Sequence, residues 1–229
     1  MTPEKVITEV FAPWVVLAVG ATHLGKAVDS PGWGVATATG LGLVPQAAIA
    51  LRVLRKNLTD HHITRREDRP LVIAGIAVSV TTLLIAQSKL EAPAELRRTT
   101  QAALVSLGVA GAATLKVKVS FHTAVLAGVV TVLARELSPR YWWGLSAVPV
   151  VAWARIKISH HSPLETALGT ALGVAGGYWG GGRRWSRPAR RRSSSTALLI
   201  RSRASEGRST ARADTARTSL SLTLRSRAM

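Results

Sequence analysis

Seven apolar stretches recur along this chain, and the breaks between them carry proline, glycine or charge. The stretches run over 10–27, 33–51, 71–87, 101–115, 122–134, 141–154 and 164–181. The breaks read DSPG, RKNLTDHHITRREDRP, SKLEAPAELRR, KVKVS, RELSPR and RIKISHHSP, the composition of turns between helices. A soluble helix keeps a polar face, and LVIAGIAVSVTTLLIA at 71–86 has none. The pattern therefore predicts an all-α fold, a transmembrane bundle of about six to seven spans, over a soluble helical domain. An isolated span needs about 20 apolar residues, so the shorter stretches are expected to tilt or to lie inside the bundle. Runs such as ATATGLG, LGVAGAA and ALGTALGVAGG are rich in the small residues that let helices approach closely in lipid. Trp14, Trp33, Trp142, Trp143 and Trp179 fall near stretch ends, where interfacial anchors belong.

Charge is kept apart from this apolar material. The chain is 47% hydrophobic with a mean hydropathy of +0.21, yet it holds 30 Lys and Arg and a net charge of +18. Residues 183–229 account for much of that, with 13 arginines against 2 acids. Their Ser, Arg, Thr and Ala content and weak apolar periodicity predict a disordered tail. The expected organisation is thus a membrane-embedded domain over 1–182 and a basic tail over 183–229. Such a tail reads first as an unstructured solvated appendage that helps fix orientation; binding to anionic lipid headgroups or to nucleic acid are the functional readings, and no nucleic-acid partner is expected. The start MTPEKVITEV places acids where a signal peptide has its basic region, so no cleavable signal is expected. There is no cysteine, which excludes disulfides and thiolate metal sites and leaves the redox compartment open.

If seven spans alternate direction, the connections over 52–70, 116–122 and 155–163 reach the same face, and they hold five of the six histidines. In the third connection His161 and Glu165 are four residues apart. On a helix beginning near Ser162-Pro163 they share a face. A carboxylate there can accept one ring N–H, set the tautomer and leave the other nitrogen as a nucleophile. His160 points about 100° away on such a helix and reads as a bystander. Arg155 offers a permanent planar fork of donors suited to phosphate oxygens. The plainer reading of this segment is a membrane-surface loop with snorkelling bases. In the second connection, Ser120 and His122 stand where a helix begins and its free N–H groups favour an anion; a lone His122 would read as an interfacial residue. In the first, Arg65, Arg66 and Arg69 are partly offset by Glu67 and Asp68, which also fits a self-neutralised turn.

Together these segments resemble the signature of the type 2 phosphatidic acid phosphatase superfamily, which shares its core with vanadium haloperoxidases. That signature is Lys-x6-Arg-Pro, then Pro-Ser-Gly-His, then Ser-Arg-x5-His-x3-Asp. Here the three segments read His62-x6-Arg69-Pro70, Val119-Ser120-Phe121-His122 and Ala154-Arg155-x5-His161-x3-Glu165. The resemblance covers roughly residues 52–181. It implies a haloperoxidase-like helical core and a phosphatase acting on a lipid phosphomonoester or pyrophosphate, of polyprenyl phosphate or phosphatidate type. It further implies that His161 forms a phosphohistidine, that Glu165 orients it, and that His122 protonates the leaving oxygen and then activates water. Arg69, Arg155, Ser120, the backbone at Phe121 and, in the lysine's place, His62 become the phosphate-binding set. No metal and no cofactor are implied.

The chain departs from the signature at named positions. His62 replaces a lysine and is fully charged only below about pH 6.5; Lys56, Arg65 and Arg66 are the other sources of that charge. Phe121 replaces glycine where backbone approaches phosphate, Val119 replaces proline, Ala154 replaces a serine hydroxyl, and Glu165 lengthens the aspartate by one methylene. The alternative expectation is a weakened or inactive relative that binds anionic lipid headgroups. A transporter would want charges within the spans, where little besides His23 and Lys26 is found. The Arg-rich tail, on the face opposite the motifs, is expected to be cytoplasmic. The expected localisation is therefore that of an integral protein of a bacterial plasma membrane with an extracytoplasmic site.

Overall fold

A computed structural model describes the backbone over residues 1–55, 69–113 and 117–182, and side chains over 1–51, 73–113 and 117–182. These residues belong to the first of the chain's two units, Met1–Ser186. The tail reading over 183–229, and His62, Lys56, Arg65 and Arg66, lie outside the described residues.

The fold is all-α, with no strand among the described residues. The helices are α1 (Pro3–Val10), α2 (Pro13–Ala27), α3 (Pro31–Ala38), α4 (Val44–Arg55), α5 (Arg69–Lys89), α6 (Ala94–Ala113), α7 (Phe121–Glu136), α8 (Ala147–Lys157) and α9 (Pro163–Gly180). A π-helical turn over Thr39–Leu43 joins α3 to α4, and a 3-10 segment over Pro139–Ser146 precedes α8. Proline opens α1, α2, α3 and α9 at the first turn, where its missing N–H is not needed. After α2, α5 and α8 the chain turns through left-handed Asp29, Glu91 and Ser159, a conformation that ends a helix.

The central pair is α7 against α9, and glycine sets its distance. A Cβ on Gly169, Gly173 or Gly177 would collide with the carbonyl oxygens of Ser120, Ala124 or Gly128 respectively. Both sets advance by four residues, so two helix faces match turn for turn along their length. This register brings the first turn of α7 beside the first turn of α9. Around the pair, Leu126, Ala127, Val130, Val148 and Val151 form one buried cluster, and Leu24, Leu96 and Val132 another. At the far end, buried Glu136 accepts two hydrogen bonds from Arg98 of α6, at 2.9 and 2.8 Å, and one from the Gly182 N–H. Arg135 stacks over Tyr178 at 3.9 Å.

The helices differ from the apolar stretches in instructive ways. The first stretch is broken at Phe11–Ala12, where α1 and α2 bend by 43°. The stretch over 141–154 is not one helix: Ser138-Pro139 starts a 3-10 segment and α8 has only 11 residues. The helix for 101–115 begins earlier, at Ala94, where the Pro93 carbonyl accepts from the Leu96 and Arg97 N–H groups and Glu95 suits the first turn. As a single helix, only the continuous run Pro31–Leu51 among the described residues is long and apolar enough to cross a membrane, and α1 with α2 qualifies only as a bent pair. The expected six to seven spans are not reached by helix length. At 16 residues α7 spans about 24 Å, short of the roughly 30 Å hydrocarbon layer.

Candidate active site at the α7–α9 end

Residues 155–165 fold into a turn that presents two imidazoles. The Arg155 carbonyl accepts from the N–H groups of both His160 (3.1 Å) and His161 (3.3 Å), and Ser159 at φ 57° reverses the chain between them. Next, α9 begins with a capping box: Ser162 Oγ accepts from the Glu165 N–H at 3.3 Å, and Glu165 Oε2 accepts from the Ser162 N–H at 3.1 Å. The same Oε2 lies 2.9 Å from His161 Nδ1. Glu165 therefore holds both its helix end and the imidazole.

Burial pushes the His161 pKa down to about 4; the Glu165 hydrogen bond opposes this, while Arg155 and Lys118 reinforce it. The ring is thus neutral at pH 7. A neutral ring that donates from Nδ1 to a carboxylate carries its lone pair on Nε2. The His161–Glu165 contact is therefore a charge-assisted hydrogen bond and not an ion pair.

The first turn of α7 docks onto this turn. The Ser120 N–H donates to the Glu165 carbonyl at 3.2 Å, and Thr123 Oγ1 donates to the Thr166 carbonyl at 3.0 Å. Val119 is buried beside them. Ser120 and Arg155 are 0% and 4% exposed, yet Ser120 Oγ and Arg155 Nε and Nη1 have no hydrogen-bond partner. Buried donors without partners lose their hydration with no return, unless they serve a ligand. Phe121 and His122 are the first two residues of α7 and are half-buried. Residues of α2, α4, α5, α6, α7 and α9 line a half-open apolar cavity of about 210 Å³, among them Trp14, Leu24, Ile49, Val80 and Leu107, with Phe121 in its wall.

The structure thus gathers Ser120, Phe121, His122, Arg155, His161 and Glu165 at one end of the α7–α9 pair. Arg69 is the first residue of α5, and its side chain lies outside the described residues, as does all of His62. Two residues take parts that the sequence did not assign. His160, read as a bystander, receives Arg155 Nη2 on its Nδ1 at 3.1 Å, because the turn after α8 is not a continuation of α9. Lys118 reaches across from the second segment, and its Nζ donates to the His160 carbonyl. No local spacing could have found it, because its partner lies 42 residues along the chain. Among the described residues, no cluster of three His, Asp or Glu could hold a metal ion. No family model, curated protein or solved structure matches this chain.

Proposed function

We propose that the chain is an integral membrane phosphatase that hydrolyses a lipid phosphomonoester or pyrophosphate through a phosphohistidine. The observation that carries this reading is the neutral His161 held by Glu165 beside the buried, unpartnered donors of Arg155 and Ser120. In the reaction, His161 Nε2 attacks phosphorus and the bond to the alkoxy or phosphate leaving oxygen breaks, with His122 supplying the proton to that oxygen. Arg155, Ser120, Arg69 and the N–H groups at the start of α7 hold the non-bridging oxygens, where fixed dipoles and charge stabilise the transition state. Water, giving its proton to His122, then cleaves the P–N bond and releases inorganic phosphate.

Support for a lipid substrate comes from the apolar cavity that has Phe121, the chain neighbour of Ser120 and His122, in its wall. Support for a bilayer setting comes from apolar side chains turned outward on α2, α5 and α6, including Val19, Val78 and Val105. Trp143 and Trp179, more than 80% exposed, lie at the end opposite the site, as an interfacial belt does. In this reading the unit crosses the membrane six to seven times, and the site opens outward, away from the cytoplasm.

The test is phosphate release by purified protein from polyprenyl phosphate, polyprenyl pyrophosphate and phosphatidate, with His161→Ala as control. Release by the wild type and none by the variant is the expected result. Silence of both proteins, with retained binding to anionic vesicles, would instead establish the headgroup-binding reading favoured by the Phe121 and His62 replacements.

A further inference from the structure

Charge balance at the site points to a residue that the phosphatase reading does not use. A phosphomonoester is essentially a dianion at pH 7. Among the described residues gathered there, Arg155 brings one positive charge, Glu165 brings one negative charge, and His161 is neutral. Lys118 is the remaining cation. Its segment is fixed from both sides: Val119 is buried, and the Ser120 N–H is bonded to the first turn of α9. Its ammonium reaches the His160 carbonyl, the peptide between Arg155's imidazole partner and His161. One of its three donors is used there, and the side chain is otherwise exposed. Its charge is felt by both His161 and Glu165.

Resting on the phosphatase reading, we propose that Lys118 is a phosphate ligand of this site and selects dianionic monoesters over monoanionic diesters. The His160 carbonyl parks the ammonium at the rim, from which its remaining donors meet the second charge of a monoester. A diester, with one charge, gains less from the added cation at Lys118. A purely structural Lys118, tying the 158–162 turn to the second segment, would affect stability without affecting anion affinity.

The experiment measures orthovanadate binding, at an alkaline pH where the ion is a dianion, to the purified, detergent-solubilised full chain, together with phosphate release from a lipid monoester and cleavage of a matched diester. Lys118→Met is expected to weaken orthovanadate binding and raise the monoester KM by about 10- to 100-fold, the range for a lost hydrogen bond to a charged group. Its effect on diester binding is expected to stay within about 3-fold, and Lys118→Arg to restore most of the loss. Lys157→Met removes an equal charge from the exposed end of α8 and is expected to change neither. If Lys118→Met binds orthovanadate like the wild type, or Lys157→Met weakens it equally, Lys118 is no ligand, while the phosphatase reading stands on its phosphate release. If the wild type neither binds orthovanadate nor releases phosphate, both readings fall.

Discussion

His161 and Glu165 carry separable duties, and substitution can divide them. Glu165→Gln keeps a residue that serves a capping box but removes the carboxylate that polarises His161. It is expected to leave the melting temperature nearly unchanged and to slow phosphate release by roughly 100- to 10,000-fold. Glu165→Ala loses the cap as well, with about 1 kcal/mol of stability; equal melting temperatures for the two variants would show that the cap contributes nothing. His160→Ala leaves Arg155 without its imidazole neighbour and is expected to raise KM several-fold with kcat little altered. The depressed His161 pKa also has a stability signature. The unfolded ring takes up its proton near pH 6.5 and the folded one only near 4, so within that window the unfolded state binds more protons. Stability therefore rises with pH between these values and is lost as pH falls through them. Unfolding of His161→Gln between pH 6.5 and 4 is expected to be flatter than that of the wild type; parallel curves would mean the ring is not desolvated.

At the scale of the helices, the site depends on the register of α7 against α9. Gly173→Ala places a methyl against the Ala124 carbonyl, where backbone cannot yield cheaply. It is expected to lower stability by about 1–3 kcal/mol and to reduce activity by moving Ser120 away from the Glu165 turn. Gly108→Ala on α6 meets nothing within 4 Å and is expected to stabilise by about 0.5–1 kcal/mol through helix propensity. Thermal melts of the two variants make the comparison, and a Gly173→Ala protein as stable as the wild type would mean the helices are not in close contact. The run ALGTALGVAGG announced close packing from composition. It did not name the partner, because a small residue accepts any neighbour, and only the facing carbonyls at 120, 124 and 128 single out α7. The broken helix at 139–157 was hidden for a related reason: hydropathy registers apolar character but not the 3-10 turn that Ser138-Pro139 imposes.

For the whole molecule, the proposed orientation predicts that a reporter fused near residue 182 is active in the cytoplasm and one near residue 60 is active outside. The opposite pair of signals would invert the topology without touching the chemistry. Helical content and its division by proline and charge were readable directly from the sequence, because each depends on neighbours within a turn or two. The His161–Glu165 pair was readable for the same reason, since four residues on a helix fix a contact. The partnership of Lys118 with the His160 turn spans 42 residues, and that of Ser120 with Glu165 slightly more. Neither follows from spacing. Both exist because a column of glycines allows two backbones to touch, and that closeness is a property of the packed pair and not of either segment alone.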